Sequence, residues 1–184
     1  MKASLIVSVY KNTNFLKAVL DSLKHQSEKE FEVIISEDGN DEGMKRFVST
    51  YPFEQPYQHI IQEDIGWRKN RSLNNAIKAA NTDWLIFIDG DCVLHERFIE
   101  MHLHFAKENR ILSGKRVKLD EANSLFLLEN HSNSLRMQQV LKRKLLFGKG
   151  EIAFLEEGIF IAPESLLSFI PKLRKNEKLL GCNM

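Results

Sequence analysis

The sequence contains little cysteine, which argues against a fold that a bound metal ion holds together. The 184 residues contain only two cysteines, Cys92 and Cys182. Neither belongs to a Cys-x-x-Cys motif or to a Cys/His cluster, so we expect no zinc site. Two isolated thiols in a chain of this size favour a reducing compartment.

The sequence also lacks a strong net charge and a membrane-length apolar run. It has 26 Lys and Arg against 25 Asp and Glu, a formal net charge of +1. No global field therefore directs it to nucleic acid or membrane, and any anion site must be local. The apolar segment Leu5 to Val9 is far too short for a secretory core or a membrane span. These features predict a cytoplasmic protein with no nucleic-acid partner.

The residues that are present suit a single α/β domain. A hydrophobic fraction of 43% is enough for a core in a chain of this length. Apolar runs and helical periodicities alternate along the first half. The predicted strands are 4–10, 31–36, 59–62 and 84–88, and the predicted helices are 15–23, 42–50, 71–80 and 96–108. This alternation predicts helices packed on a mostly parallel central sheet.

The second half is less regular. We predict a strand at Ile111 to Gly114, a largely helical stretch from Ser124 to Phe147, and a strand within Ala153 to Ile161. The long helix ends in a basic cluster, Lys142 to Lys144, and its apolar and basic residues alternate. Such a helix either lies on an anionic membrane surface or is an ordinary surface helix, and we favour the second interpretation.

Three polar clusters follow predicted strands, at Tyr10 to Asn12, Glu37 to Asn40 and Asp89 to Asp91. Ligands of parallel sheets bind beyond the carboxyl ends of the strands. The fold would therefore bring these three clusters to one edge, although they are far apart in sequence.

The Asp89-Gly90-Asp91 segment is the strongest candidate site. Two aspartates around one flexible glycine can approach a common point, and their mutual repulsion favours a cation beside them. Mg²⁺ or Mn²⁺ prefers such oxygen ligands and completes its shell with substrate phosphates. The alternative is a simple polar turn, which is the commoner meaning of Asp-Gly in isolation. The preceding buried strand favours the metal site.

Two further clusters have similar alternatives. Asp38 is either a turn former before Gly39 or an acceptor for a nucleobase N–H. Arg68, Lys69 and Arg71 lie at the expected start of a helix, where cations oppose the helix dipole. A nearby diphosphate would explain them, with Asn74 or Asn75 adding an amide; a solvated helix start is an equal alternative.

Five segments taken in order carry a family resemblance: 7–12, 20–26, 31–39, 64–74 and 87–92. They resemble the family-two inverting glycosyltransferases of the GT-A fold, especially the galactosyltransferase-like subgroup. The resemblance implies a Rossmann-like three-layer sandwich that moves a sugar, typically from a UDP-sugar, to a glycan or lipid-linked acceptor in cell-surface polysaccharide synthesis. That setting makes contact with the inner face of the membrane plausible.

The resemblance also implies residue roles. Ser8 and Tyr10 would line the nucleoside pocket, and Asp38 would bind the base. Asp64, Arg68, Arg71 and Asn74 would lie near the ribose and diphosphate. Asp89 and Gly90 would contact the ribose or sugar, with Asp91 as the direct ligand of Mn²⁺ or Mg²⁺ and Asp89 beside it in this Asp-x-Asp motif.

The end of the sequence differs from the family pattern. The segment Gly181 to Met184 resembles one that lies inside galactosyltransferase-like members, where an acidic general base follows it. We therefore expect a nucleotide-sugar-binding half at 1–110, an incomplete acceptor-side half at 111–184, and a C-terminally truncated chain. Within the sequence, Glu156 and Glu157 are the remaining candidates for the base that deprotonates the acceptor hydroxyl.

Two other functions compete with glycosyl transfer. A sugar nucleotidyltransferase would carry a glycine-rich basic loop after the first strand, whereas Tyr10 to Thr13 contains no glycine. A module that binds nucleotide-sugar without turnover is the non-enzymatic alternative, and loss of the general base would produce it.

Overall fold

Four parallel strands form the central sheet in the computed structural model of the chain, which describes residues 1–109, 111–129, 136–140 and 143. Five bounded helices accompany the strands within these residues, and residues 136–140 are also helical. The elements are β1 (Ala3–Val9), α1 (Thr13–Leu23), β2 (Phe31–Glu37), α2 (Glu42–Thr50), β3 (Tyr57–Ile60), α3 (Lys69–Ala79), β4 (Leu85–Asp89), α4 (Phe98–His104) and α5 (Glu121–Glu129).

The strand order is β3-β2-β1-β4, and every pair is parallel. The chain therefore builds outward from β1 to β3, then returns to place β4 on the other side of β1. Such a reversal opens a crevice at the carboxyl ends of the two strands beside it. The register places Ser8 opposite Asp89 across β1 and β4, so both strands end at this crevice.

Helices cover both faces of the sheet, which confirms the predicted α/β class with a parallel central sheet. On one face, apolar residues of β1, β2 and β4 form the main core with buried residues of α1, α2 and α4, including Leu20, Met44 and Ile99. On the other face, Ile6 and Ile34 pack against Ala76 of α3. Because β1 and β2 are buried almost throughout, their apolar residues do not alternate with exposed polar ones.

Side chains fix where the first two helices begin. The Asn12 side chain accepts a hydrogen bond from the Phe15 amide at 3.0 Å. Asp41 caps α2 in the same way, accepting from the Met44 amide at 2.8 Å. Each cap satisfies a backbone donor that the first helical turn leaves without a partner.

Several predictions for the later part of the chain were wrong or too long. Residues 111–117 form no strand, and Ile111 is 70% exposed, so this apolar residue packs on no sheet. α4 spans only Phe98–His104, and its apolar face ends at Phe105, which is 47% exposed.

The predicted helix 124–147 corresponds to α5 and helical residues 136–140, where Leu127 packs against Met137. Lys142, Lys144 and the predicted strand within 153–161 lie outside the described residues. No helix among those that the structure describes is long and apolar enough to cross a membrane.

Candidate functional site

A cavity of about 520 Å³ opens at the carboxyl ends of β1 and β4, where the strand order reverses. Its wall consists of residues from the ends of these strands, from the start of α1, and from the loop that leads into α3. The lining residues are Ser8, Val9, Tyr10, Asn12, Phe15, Asp38, Gly66, Trp67, Lys69, Asp89, Gly90 and Asp91. The predicted convergence of distant polar clusters at one sheet edge is therefore present.

Gly90 allows β4 to turn directly against the end of β1. Its amide donates to the Ser8 carbonyl at 2.8 Å, which extends the sheet pairing by one residue. A Cβ at this position would lie 2.7 Å from Val9 Cγ1 and 2.9 Å from the Ser8 oxygen. Only glycine fits such a close backbone approach, and it fixes the positions of Asp89 and Asp91 on either side.

The two aspartates of this turn have different surroundings. Asp89 Oδ1 accepts a short hydrogen bond from the ammonium of Lys69, and both side chains are about 30% exposed. Asp91 is exposed, with its Oδ1 3.6 Å from the weak donor Sγ of Cys92. The cavity therefore has one carboxylate in an ion pair and one open to an incoming ligand.

Asp38 links the end of β2 to the loop before α3. Its amide donates to the Val9 carbonyl at 3.0 Å. Its carboxylate accepts from Gln62 Nε2 at 2.6 Å and from the Arg68 amide at 2.9 Å. Since a carboxylate has about four acceptor positions, a nucleobase N–H could still bind there.

Lys11, which follows Tyr10 at the end of β1, forms an ion pair with Asp64 in the segment before α3, with their charged atoms 2.7 Å apart. The hydrogen bond to Asp64 raises the pKa of Lys11, which stays charged. The same ammonium lies 4.7 Å from the centre of the Tyr10 ring, and Tyr10 is 53% exposed. Because the Tyr10 ring is exposed and contacts the Lys11 ammonium, it is suited to stack against another planar ring.

The structure divides the predicted site residues into two groups. Six line the cavity: Ser8, Tyr10, Asp38, Asp89, Gly90 and Asp91. Four lie outside its wall: Asp64, Arg68, Arg71 and Asn74. Arg68 donates from Nη2 to the Glu63 carbonyl at 2.7 Å, while Arg71 and Asn74 are exposed on α3. Glu156 and Glu157 lie outside the described residues.

Sequence reasoning gave too little weight to Lys69 and none to Trp67. Lys69 is the residue of the basic cluster that lines the cavity, because α3 begins at this position, two residues before the predicted start. Trp67 follows Gly66, whose φ of 67° turns the loop, and its side chain is 90% exposed at the cavity. The sequence signal that was available is a tryptophan next to a glycine, just before the basic cluster.

The donor atoms of the cavity fit a hard divalent cation. Carboxylate oxygens are the ligands that Mg²⁺ and Mn²⁺ prefer, and Asp91 presents an exposed carboxylate to the cavity. Within the described residues, no group of three or more His, Cys, Asp or Glu side chains could hold a metal alone. An ion here would therefore take most of its ligands from substrate phosphates and water.

Fold and cavity together define a parallel α/β domain with a crevice at the strand-order reversal, where sheets of this type bind ligands. Comparison with known families is more specific. The model of glycosyl transferase family 2 matches residues 4–176, nearly the whole sequence. The chain belongs to glycosyl transferase family 2.

Curated relatives carry related names. The uncharacterized glycosyltransferase YfnE of Bacillus subtilis (strain 168) is 31% identical over 118 residues, covering 62% of this chain and 30% of that protein. An uncharacterized glycosyltransferase of Rickettsia bellii (strain RML369-C) is 26% identical over 111 residues, covering 60% of this chain and 16% of that protein. Validoxylamine A glucosyltransferase of Streptomyces hygroscopicus subsp. jinggangensis (strain 5008) is 24% identical over 99 residues, covering 53% of this chain and 24% of that protein. The match thus spans less than a third of each relative's length.

Solved structures give weaker matches. The S. aureus TarS crystal structure is similar over 57% of this chain and 19% of its own, with 25% identity and a TM-score of 0.49. The mannosyltransferase PcManGT from Pyrobaculum calidifontis, in complex with GDP-Man and Mn²⁺, covers 49% of this chain and 27% of its own, with 19% identity and a TM-score of 0.42.

Proposed function

We propose that this domain binds a nucleotide diphosphate sugar, with a UDP-sugar as the expected donor, and transfers the sugar to an acceptor hydroxyl. The observation that carries the proposal is the cavity at the strand-order reversal, which has Tyr10 and Asp38 on one side and Asp89 and Asp91 on the other. Membership of glycosyl transferase family 2 supports the same reaction class.

The cavity offers different chemistry at its two sides. Tyr10 presents an exposed ring, and Asp38 presents acceptor oxygens at a nearly buried position. This combination suits a uracil, which has a planar face and an N–H donor. Lys69 and the Asp89-Gly90-Asp91 turn form the charged side, which suits the diphosphate and the first sugar.

The residues around the turn fit Mn²⁺ or Mg²⁺, and Asp91 would hold the ion directly with Asp89 beside it. When bound, such an ion supplies Lewis-acid stabilisation of the diphosphate leaving group. Asp91 would position the ion by one carboxylate. Gly90 sets the place of that carboxylate relative to β1, because the turn can close only without a side chain at residue 90.

The acceptor side of the proposal rests on the family resemblance. An inverting transfer needs a carboxylate that removes the proton from the acceptor hydroxyl. Glu156 and Glu157 stay the predicted candidates within this sequence, together with a base beyond Met184. A glycan or lipid-linked acceptor, a role in polysaccharide synthesis and contact with the membrane surface also stay predictions.

Calorimetric titration with a set of nucleotides tests the donor proposal. With Mn²⁺ present, we expect UDP to bind at least about tenfold more tightly than GDP or ADP, because Asp38 and Tyr10 select the base. Incubation with UDP-glucose, UDP-galactose and UDP-N-acetylglucosamine should then show which donor releases UDP. Failure of every nucleoside diphosphate to bind would contradict the proposal.

A further inference from the structure

Lys69 is the only lysine or arginine in the cavity wall, as far as the structure describes it, and the same wall contains the carboxylates of Asp38, Asp89 and Asp91. Arg68 and Arg71, its neighbours in the basic cluster, lie outside that wall. Its ammonium pairs with Asp89 Oδ1, and both side chains remain about 30% exposed. The pair is therefore reachable by a ligand that enters the cavity.

Two contacts fix the position of Lys69. The amide of Arg68, the residue before it, donates to Asp38 at 2.9 Å, which ties the start of α3 to the end of β2. Asp89 then holds the ammonium from the end of β4. Lys69 is the first residue of α3, which has no acidic residue in its first turn. Asp89 thus supplies the negative charge that offsets both the ammonium and the positive end of the helix.

Asp91 differs from Asp89 in this respect. No ion pair with Asp91 occurs in the part of the chain that the structure describes, and the residue is exposed at the cavity. A divalent cation would bind Asp91 without displacing another cation, whereas at Asp89 Oδ1 it would compete with the Lys69 ammonium.

We propose that the two aspartates have separate tasks: Asp91 is the metal ligand, and Asp89 is a positioning residue that holds Lys69. Lys69 is then a fixed second cation, which binds the donor diphosphate whether or not a metal is bound. The inference rests on the proposed nucleotide-sugar site. It differs from the expectation that Asp89 lies beside Asp91 at the metal and contacts the ribose or sugar.

The test measures UDP affinity with Mn²⁺ and with EDTA for the full chain and four variants, Lys69→Met, Lys69→Arg, Asp89→Asn and Asp91→Asn. The ratio of the two affinities gives the metal dependence. Uridine, which has no phosphate, is the probe for the base side alone. Lys78→Met is the matched control, since Lys78 is exposed on the same helix and outside the cavity wall.

We expect Lys69→Met to weaken UDP binding about tenfold or more in both conditions, because a charge-assisted contact with phosphate is lost. Uridine binding and the metal dependence should stay near those of the unaltered chain. Asp89→Asn should reproduce this pattern, because Lys69 loses the ion pair that holds it in position. Lys69→Arg should retain most of the UDP affinity. Asp91→Asn should instead remove the metal dependence and keep the EDTA affinity.

Two results would overturn the inference. One is a Lys69→Met variant whose UDP affinity matches that of Lys78→Met. The other is an Asp89→Asn variant that loses its metal dependence as completely as Asp91→Asn. If the unaltered chain fails to bind UDP in either condition, the proposed function itself fails, so the two failures are distinguishable. Urea midpoints of all variants show that each one folds.

Discussion

Both carboxylate oxygens of Asp38 accept hydrogen bonds from the segment between β3 and α3, one from Gln62 and one from the Arg68 amide. The sequence left Asp38 as either a turn former or an acceptor for a nucleobase N–H, and the structure places it in the cavity wall. Its second task, holding the loop that carries Lys69, depends on contacts about 24 to 30 residues away, which no local pattern reveals.

Asp38→Asn should destabilise the protein by about 1–3 kcal/mol, because the amide NH₂ would face a donor and leave it unsatisfied. Urea denaturation at pH 7 measures the effect. Asp91→Asn, in the same cavity but exposed, is the control and should stay within about 0.5 kcal/mol. If the two variants were equally stable, the hydrogen bonds of Asp38 would make no measurable contribution to the free energy of unfolding.

Gly90→Ala should destabilise the protein by about 1–3 kcal/mol and weaken UDP binding, because the new Cβ would overlap Val9 and the Ser8 carbonyl. Gly39→Ala is the matched control, just after the end of β2. There a Cβ would meet Glu37 Oε1 at 3.5 Å and the Tyr10 ring at 3.7 Å, which are ordinary contacts. A Gly90→Ala variant as stable as Gly39→Ala would contradict the close approach.

Among the helices and strands, the predicted bounds agree best with the observed ones where the apolar side chains are buried. The predicted strands 4–10, 31–36 and 84–88 and helices α1 and α2 were close to the observed bounds because their apolar residues are buried in one core. The strand predicted at 59–62 was placed two residues late, and β3 contributes no buried residue to that core. α2 spans the predicted Glu42–Thr50. The start of α3 was placed two residues late because its N-cap, Arg68, has no side-chain capping bond that the sequence could signal.

The N-cap of α1 is a testable contribution of one side chain to one element. Asn12→Ala should cost about 1 kcal/mol of unfolding free energy, since the Phe15 amide loses its acceptor. Asn14→Ala is the control, because Asn14 is exposed in the first turn of the same helix. The two urea midpoints give the comparison, and an equal loss in both variants would count against the cap.

At the scale of the whole molecule, a buried carboxylate joins the sheet to the connection between α3 and β4. Glu32 is 1% exposed and accepts hydrogen bonds from Ser4 at 2.6 Å and from the Asn81 amide at 2.7 Å. Burial alone would raise the pKa of Glu32, but these hydrogen bonds more than offset it, and its pKa lies below the ordinary value. Folding is therefore linked to ionisation of this group.

When folding lowers the pKa of a carboxyl group, that group stabilises the folded protein at every pH above its pKa in the unfolded chain. For Glu, the unfolded pKa is about 4.3. That stability is lost as the pH falls through the folded value. Glu32→Gln should thus be about 1–3 kcal/mol less stable than the unaltered chain at pH 7, and the difference should shrink below pH 4. Urea midpoints from pH 7 to pH 3 measure this, with exposed Glu108→Gln as control. A difference that stays constant with pH would contradict the linkage.

The assembly of the site was predictable only in part. Three polar clusters at strand ends predicted a common edge, and Asp38, Asp89 and Asp91 do share one cavity. The sequence did not give the strand order, which puts β4 beside β1. It also did not give the direction of each residue on α3, which brings Lys69 into the cavity and leaves Arg71 on the surface.

Titration of UDP with and without Mn²⁺ tests the central claim most directly, when it is repeated with Asp91→Ala. We expect Mn²⁺ to strengthen UDP binding to the unaltered chain and to have little effect on Asp91→Ala. Asp83→Ala, an exposed aspartate just before β4, removes one carboxylate far from the cavity and should behave as the unaltered chain does. UDP binding that depends on neither Mn²⁺ nor Asp91 would contradict the account.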